Sequence, residues 1–234
     1  MIAVCPKCHD DIHHGRLPID DDTLFRWKNA TRKRTNRDLF YVEPGATTKL
    51  LLGSFSVEGD TGLKVFDLSP QNQLSFRILE RDIFLVNLII TTTSGKEIIR
   101  ITENHIKFCL DTSVYYDNIT GHKRITVPLS SDFLPMWAAS QILGVEENYS
   151  DNGRIVYLDI EVVEPGLVRI QGIWPERRHC IIITKNALHF ISPSHLRPVT
   201  IVGAGPETIL HWNGPIDKAM FGFIQGKPRV APDI

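Results

Sequence analysis

From Leu39 to the end of the chain, short apolar runs alternate with turn signals. The runs are rich in Val, Ile, Leu, Phe, Tyr and Thr, the residues that favour β-strands. Many short strands joined by close turns are typical of antiparallel sheets. The sequence therefore predicts a largely antiparallel β domain over residues 39–234. Its predicted strands are Phe55–Val57, Lys64–Leu68, Leu74–Leu79, Ile83–Thr92, Glu97–Ile101, Ile106–Leu110, Arg124–Val127, Ile155–Val163, Leu167–Ile173, Ile181–Thr184 and Leu188–Ile191.

Turns and one helix separate these strands. The predicted turns are Glu58-Gly59-Asp60, Ser94-Gly95-Lys96, Asp117-Asn118, Asp151-Asn152-Gly153 and Pro165-Gly166. A helix is predicted around Phe133–Leu143, and Gly144 is expected to end it. The residues that can share its apolar face are Trp137, Ala138, Ala139, Ile142 and Leu143. The predicted fold class is therefore α+β and mainly β, with one helix inserted in the β domain.

Two segments of the β domain resemble each other. Ile101–Phe108 and Ile183–Phe190 share the pattern Ile-Thr-x-Asn-x-apolar-x-Phe at a separation of 82 residues. In each, a strand is expected to run into a turn held by Asn, which tolerates left-handed backbone and can bond its own main chain. A duplicated β unit would explain the pattern, and so would two unrelated hairpins with the same turn requirement.

Residues 1–36 have a different pattern and form a separate predicted segment. Cys5-Pro-Lys-Cys8 is expected to be a tight turn, followed by a short polar helix over His9–His14 that ends at Gly15. A second helix is predicted to begin at the acidic residues Asp20–Asp22, with Leu24 and Trp27 on its apolar face. The sequence therefore divides into a short N-terminal segment and the β domain.

The composition is that of a globular protein. Of 234 residues, 42% are hydrophobic and 23% are charged, which excludes disordered, collagen-like and coiled-coil chains. No run reaches the roughly 18 apolar residues that a membrane span needs. A signal peptide is also absent from the sequence, so we predict a cytoplasmic location and no membrane partner.

The basic residues are unevenly distributed. Six of the 26 Lys and Arg residues lie between positions 26 and 37, where no acidic residue occurs; 20 remain against 27 acidic residues elsewhere, a net charge of −7. This run could neutralise the phosphates of DNA. It could equally be a helix end followed by a solvated linker, because cations complement the C-terminal end of the helix dipole. The candidate DNA-binding residues are Arg26, Lys28, Arg32, Lys33, Arg34 and Arg37.

The N-terminal segment also contains candidate metal ligands. Cys5 and Cys8 have the spacing of a zinc knuckle, but a tetrahedral zinc site needs four ligands and the chain has no second cysteine pair. Cys109 and Cys180 are single residues in predicted strands and are expected to be buried, inert thiols. His9 and His13 are four residues apart, so on a helix they share a face and can bind one metal ion or contact a phosphate. Such a histidine pair can also be incidental.

The stretch from Ile2 to Gly15 closely resembles the C-terminal half of the HNH endonuclease motif, in the zinc-containing branch of that family. The family motif reads Asn-Leu-Ile-x-Leu-Cys-x-x-Cys-His-x-x-x-His, followed by a loop and a helix with an Arg-Trp-Lys run, which Arg26–Lys28 matches here. The resemblance implies a ββα-metal fold and metal-dependent hydrolysis of phosphodiester bonds in DNA. It implies that Cys5 and Cys8 bind a structural Zn²⁺, and that His9 and His13 bind the catalytic Mg²⁺, Mn²⁺ or Zn²⁺ beside the scissile phosphate.

The resemblance covers about 35 residues and only part of the family's pattern. The first cysteine pair, the general-base histidine and the central asparagine belong upstream of this motif, and Met1 takes the position directly after that asparagine. We therefore expect this chain to be an HNH protein read from an internal methionine, with an incomplete structural zinc site, and to be inactive as a nuclease. Hydrolysis needs a general base, which this sequence does not identify.

The histidines of the β domain show no chemical pattern in the sequence. None of them lies near other histidines or carboxylates at a spacing that suggests a site; they are His105, His122, His179, His189, His195 and His211. The alternative to the nuclease hypothesis is therefore a non-enzymatic β domain that binds a ligand or a protein and carries a vestigial zinc-knuckle segment.

Overall fold

The computed structural model describes residues 37–42, 45, 47–79, 83–109, 113–119, 121–224 and 227–231. Residues from Asp38 onward form one compact unit. The described part is mainly β, which confirms the predicted class at that level; the predicted ββα-metal segment lies outside the described residues.

The described elements are strands β1–β19 and helix α1. The first ten strands are β1 Arg37–Leu39, β2 Lys49–Leu52, β3 Phe55–Gly59, β4 Gly62–Ser69, β5 Asn72–Leu79, β6 Ile83–Thr91, β7 Glu97–Thr102, β8 His105–Phe108, β9 Tyr115–Ile119 and β10 His122–Pro128. Helix α1 spans Met136–Leu143. The remaining strands are β11 Ser150–Asp151, β12 Arg154–Glu164, β13 Leu167–Pro175, β14 Cys180–Ile183, β15 Leu188–Ile191, β16 Val199–Ile201, β17 Ile209–Trp212, β18 Ala219–Ile224 and β19 Lys227–Val230.

An eight-stranded sheet has the order β1-β8-β7-β6-β5-β4-β18-β19. Strands β4 to β8 follow one another as antiparallel neighbours, as the short turns between them require. Strand β18 then adds in parallel to β4, and β19 closes this edge. Pro228 lies in β19, where its missing N–H costs no ladder hydrogen bond because the strand is at the sheet edge.

An eleven-stranded sheet has the central order β16-β15-β14-β13-β12-β10-β9. Strand β13 has two neighbours on one side: its first half pairs in parallel with β2, and its second half pairs with β14. Strand β2 continues to β3, which pairs in parallel with β17. The sheet is thus largely antiparallel, as predicted, with parallel pairs where distant parts of the chain meet.

The two sheets pack face to face around one hydrophobic core. Phe66 of the first sheet meets Trp174 of the second edge-on, with ring centroids 4.9 Å apart. The Tyr157 hydroxyl crosses the same interface and donates to the Thr91 carbonyl at 2.6 Å. A buried hydroxyl needs such a partner, so this bond fixes one sheet relative to the other.

Helix α1 lies where a helix was predicted, and fewer of its residues are buried than the predicted apolar face contains. Ala138, Ala139 and Ile142 are buried, whereas Leu143 is 36% exposed. Gly144 is the C-cap residue and has φ −76°, so the end of the helix does not require a left-handed backbone conformation. The amide of Gln141 donates to the carbonyls of Ser192 and His195 at 2.9 and 2.8 Å, which ties the helix to the loop after β15.

The two similar segments form hairpins of identical register. Ile101 pairs with Ile106 in the first hairpin, and Ile183 pairs with Leu188 at the equivalent positions of the second. Their turns differ. Glu103 and Asn104 have φ 48° and 65°, whereas the turn after Ile183 contains no residue of positive φ. The shared register is compatible with duplication, which stays a prediction.

The predicted role of the two asparagines is wrong in its details. Asn104 has left-handed backbone, but its side chain bonds strand β6 and not its own main chain. Asn186 has no positive φ, and its amide donates to Glu146. The second turn is held by Thr184, whose Oγ1 accepts from the N–H groups of Asn186 and Ala187 at 3.1 Å. A threonine hydroxyl can replace the asparagine because both accept local backbone bonds.

The predicted turn at Asp117-Asn118 is also wrong, because both residues lie within strand β9. Asp117 pairs with Arg124, and Asn118 pairs with Lys123, whose Nζ donates to the Asn118 amide oxygen. These cross-strand contacts override the local turn preference of Asp and Asn. The turn falls instead at Gly121, with φ 73°.

Candidate functional site

The candidate site residues predicted from the sequence lie almost entirely outside the described residues. These are Cys5, Cys8, His9, His13, Arg26, Lys28, Arg32, Lys33 and Arg34. Arg37 is the exception and begins strand β1 at the edge of the eight-stranded sheet. The zinc, catalytic-metal and DNA-binding assignments therefore stay predictions.

Within the described residues, His122 lies next to two carboxylates on the outer face of the eleven-stranded sheet. Antiparallel pairing of β10 with β12 places His122 opposite Glu161, and Arg124 opposite Asp159. Since alternate residues of a strand share a face, all four side chains lie on one side of the sheet. The His122 Nε2 atom is 3.0 Å from Asp159 Oδ1. One ligand atom from each of His122, Asp159 and Glu161 lies within 4.8 Å of the others.

Two arginines hold the carboxylates of this cluster. Arg124 Nε is 3.6 Å from Asp159 Oδ2, and Arg169 of β13 bonds Glu161 Oε2. The Asp159 side chain is only 5% exposed. A buried carboxylate needs ionic or hydrogen-bond partners, and here the imidazole and the guanidinium supply them. The positive charges of Arg124 and Arg169 balance the negative charges of Asp159 and Glu161, so the cluster is a balanced ion-pair network.

A second group lies at the carboxyl ends of the parallel strands β3 and β17. His211 pairs with Glu58 in the sheet, and its Nδ1 lies 3.1 Å from Glu58 Oε1. On the other side of the ring, Nε2 lies 3.7 Å from Asp60 Oδ1. The three side chains line a cavity of about 220 Å³ that Thr47 and Thr48 complete. Carboxylates and hydroxyls at its wall favour a cationic ligand.

A larger cavity of about 520 Å³ adjoins this one, since Ile78 lines both. Apolar side chains, including Phe76, Leu79 and Ile216, form most of its exposed wall, and Lys64 and Arg77 also line it. Leu79 and Ile216 are 36% and 42% exposed, respectively. The acidic cavity and the apolar cavity together form a surface that can receive a basic group joined to an apolar one.

A third histidine, His189 of β15, is buried beside Glu146 in the loop that follows helix α1. Its Nδ1 lies 3.0 Å from Thr200 Oγ1, and its Nε2 lies 3.5 Å from Glu146 Oε1. Burial lowers the pKa of His189, which outweighs the opposite effect of Glu146. A buried neutral imidazole of this kind stabilises the fold and is poorly placed to meet a substrate.

The described cysteines confirm part of the sequence prediction. Cys180 is buried in β14, and burial raises the pKa of its thiol far above the usual range. A thiol that stays protonated is a poor nucleophile and a poor metal ligand. Cys109 follows β8 and is half-buried, so it is less enclosed than predicted.

Sequence reasoning missed the clusters around His122 and His211, because their members are far apart in the chain. A local signal does exist: Asp159 and Glu161 are charged residues at alternate positions within the apolar middle of a strand. That spacing puts both on one face. It does not reveal that β10 pairs with β12, or that β17 pairs with β3.

Comparison with protein-family models, with curated proteins and with solved structures finds no match to this chain. Among the described residues there is also no helix with the length and apolar character that crossing a membrane would require. The predicted cytoplasmic location stays a prediction.

Proposed function

We propose that the chain belongs to a metal-dependent DNA endonuclease of the HNH family, in which residues 39–234 form a binding domain. The observation that carries the proposal is the run from Cys5 to His13, with two thiolates and two imidazoles at the family's spacing. Thiolate and imidazole are the donors that zinc prefers, so the donor set fits the proposed metals.

In this proposal, each group of N-terminal residues has a distinct task. Cys5 and Cys8 supply two of the four ligands that a structural Zn²⁺ needs. His9 and His13 hold a divalent ion, which when bound polarises the scissile phosphate. The basic run from Arg26 to Arg37 contacts neighbouring phosphates of the DNA backbone. No general base is assigned, so we expect metal and DNA binding without strand cleavage by this chain.

Zinc content tests the structural part of the proposal. We expect the purified chain to contain zinc by atomic emission, and a Cys5→Ser/Cys8→Ser variant to contain about one ion per chain less. Cys109→Ser is the matched control, because Cys109 lies in the β domain and is not an assigned ligand. Equal zinc content in all three proteins would contradict the assignment.

DNA affinity tests the basic run. Replacing Arg32, Lys33 and Arg34 by Ala should weaken binding to double-stranded DNA and reduce the dependence of log K on log salt by about 3. The control replaces three exposed cations of the β domain by Ala, namely Arg177, Arg178 and Lys185. If the control loses as much affinity as the first variant, the basic run is not the DNA contact.

A second candidate function is that of a non-enzymatic binding domain, and the two adjoining cavities favour it. Glu58 and Asp60 would receive the Lys or Arg side chain of a partner polypeptide, while Ile216 and its neighbours cover an apolar side chain beside it. The test is titration with a short peptide in which one Lys is flanked by Leu. Glu58→Gln should abolish binding, and Glu164→Gln, at an exposed position of β12, should not.

A further inference from the structure

We infer that His122, Asp159 and Glu161 form a binding site for a divalent transition-metal ion such as Zn²⁺ on the outer face of the β domain. The site is separate from the N-terminal zinc and catalytic-metal residues proposed above. It is built from two neighbouring strands of one sheet, so its geometry depends on the β domain alone.

Backbone pairing fixes the relative positions of the three donors. His122 and Glu161 are direct cross-strand partners, and Asp159 is two residues from Glu161 on the same face. The Val162 N–H donates to the Gly121 carbonyl at 2.8 Å, which anchors the start of β10 to β12 beside the site. A site on paired strands is held more rigidly than one on loops, so little ordering is needed when an ion binds.

The distances are close to those of metal ligands. Two donors that each lie about 2.1 Å from a zinc ion are separated by about 3 to 3.5 Å. The 3.0 Å between His122 Nε2 and Asp159 Oδ1 already meets this spacing. Glu161 has a ligand atom within 4.8 Å of both, so a side-chain rotation brings it into coordination.

The donor set selects the class of metal. One imidazole with two carboxylates suits zinc and its first-row neighbours, whereas calcium and magnesium prefer oxygen ligands only. Three protein ligands leave a coordination position for water, as in open zinc sites. His122 and Glu161 are 25% and 33% exposed, so an ion and its water can enter from solvent.

Arg124 and Arg169 contact the two carboxylates of the site. Asp159 uses Oδ2 for Arg124 and Oδ1 for His122, so the two contacts do not compete. Glu161 uses Oε2 for Arg169, and its Oε1 has no hydrogen-bond partner among the described residues. Hydrogen bonds to ligating carboxylates are a regular feature of metal sites. Because the arginines also balance the acidic charge, we expect micromolar and not nanomolar affinity for Zn²⁺.

The experiment uses the full chain with the N-terminal ligands replaced, as Cys5→Ser/Cys8→Ser/His9→Ala/His13→Ala. Titration with Co²⁺, followed by visible d–d absorption, reports ligation directly, and Zn²⁺ then displaces the Co²⁺. We expect about one ion per chain. His122→Gln and Glu161→Gln should each lower the affinity by about 100-fold or more, because each removes a ligand. His105→Ala is the matched control, since His105 is exposed in the other sheet.

Circular dichroism of every variant without metal shows whether it folds. The inference stands if the Co²⁺ bands persist in the control and disappear in folded His122→Gln and Glu161→Gln. It is overturned if the background protein shows no bands, or if His122→Gln and the control bind Co²⁺ equally. In either of those cases the cluster is an ion-pair network only. None of these outcomes depends on the N-terminal assignment, which the zinc measurement on Cys5→Ser/Cys8→Ser tests by itself.

Discussion

Asn104 completes the hydrogen bonding of strand β6 by accepting the Val86 N–H at 2.7 Å. The same side chain donates from Nδ2 to the Phe84 carbonyl at 2.6 Å, and Asn104 is only 7% exposed. The turn of one hairpin is thereby bonded to the middle of a neighbouring strand. This contact has no counterpart at Asn186, the equivalent residue of the second hairpin, which is exposed.

Replacing Asn104 by Ala should therefore destabilise the protein strongly. The change leaves the buried Val86 N–H without its partner and places Ala at φ 65°, at a combined cost of about 3 kcal/mol in the free energy of unfolding. Asn186→Ala should cost less than about 1 kcal/mol, because its bond to Glu146 is solvent-exposed. Urea denaturation of both variants measures the difference; equal losses would contradict the buried role of Asn104.

Gly62 is expected to tolerate no side chain. Its φ is +115°, and an added Cβ would lie 2.3 Å from the Phe76 carbonyl oxygen of the paired strand. Gly62→Ala should lower the free energy of unfolding by about 3 kcal/mol, from backbone strain and overlap together. At Gly153, with φ +73°, an added Cβ meets nothing within 4 Å, so Ala should cost only about 1 kcal/mol there. Thermal melting of the two variants checks this order.

Stability should fall in mild acid because of His189. Its pKa is lowered in the folded state by burial, so the unfolded chain binds more protons once the pH falls below 6.5, the ordinary value. The loss is at most about 1.4 kcal/mol for each pH unit below that value, until the folded pKa is reached. It fades above pH 6.5 and is absent about one pH unit higher, where both states are neutral.

His189→Gln should flatten this pH dependence. In a matched pair of urea titrations, we expect the unfolding free energy to fall less between pH 7.5 and pH 5 in the variant than in the wild type. Some dependence of stability on pH should remain in the variant, because the pKa of His179 is also lowered, chiefly by burial. An unchanged profile would show that protonation of His189 does not govern acid stability.

Cys180 should resist alkylation while the protein is folded. The thiol is fully buried, and burial raises its pKa, so thiolate is scarce and access is blocked. Treatment with iodoacetamide, followed by mass spectrometry of peptides, should leave Cys180 unmodified in buffer and modified in denaturant. Cys109, which is half-buried, should react faster in buffer. Rapid modification of native Cys180 would contradict the closed core around β14.

Much of the secondary structure could be predicted, because it depends on local alternation. Strands such as Leu74–Leu79 and Leu188–Ile191 lie where the apolar pattern places them. Several strands that the apolar pattern does not predict have weak local signals. β2 is an unbroken Lys-Leu-Leu-Leu run, β18 contains Gly222, and β19 contains Pro228. They are strands because a neighbour supplies their hydrogen bonds.

The sequence by itself determined the β-rich class and the turns that need glycine, and it is also the source of the metal chemistry proposed for the N-terminal Cys-x-x-Cys-His segment. Each depends on residues a few positions apart, whose spacing is set by the backbone period. Only the tertiary structure decided that β10 lies beside β12 and that β17 lies beside β3. Strand pairing joins residues that no local pattern connects, so His122 meets Asp159, and His211 meets Glu58, only after folding.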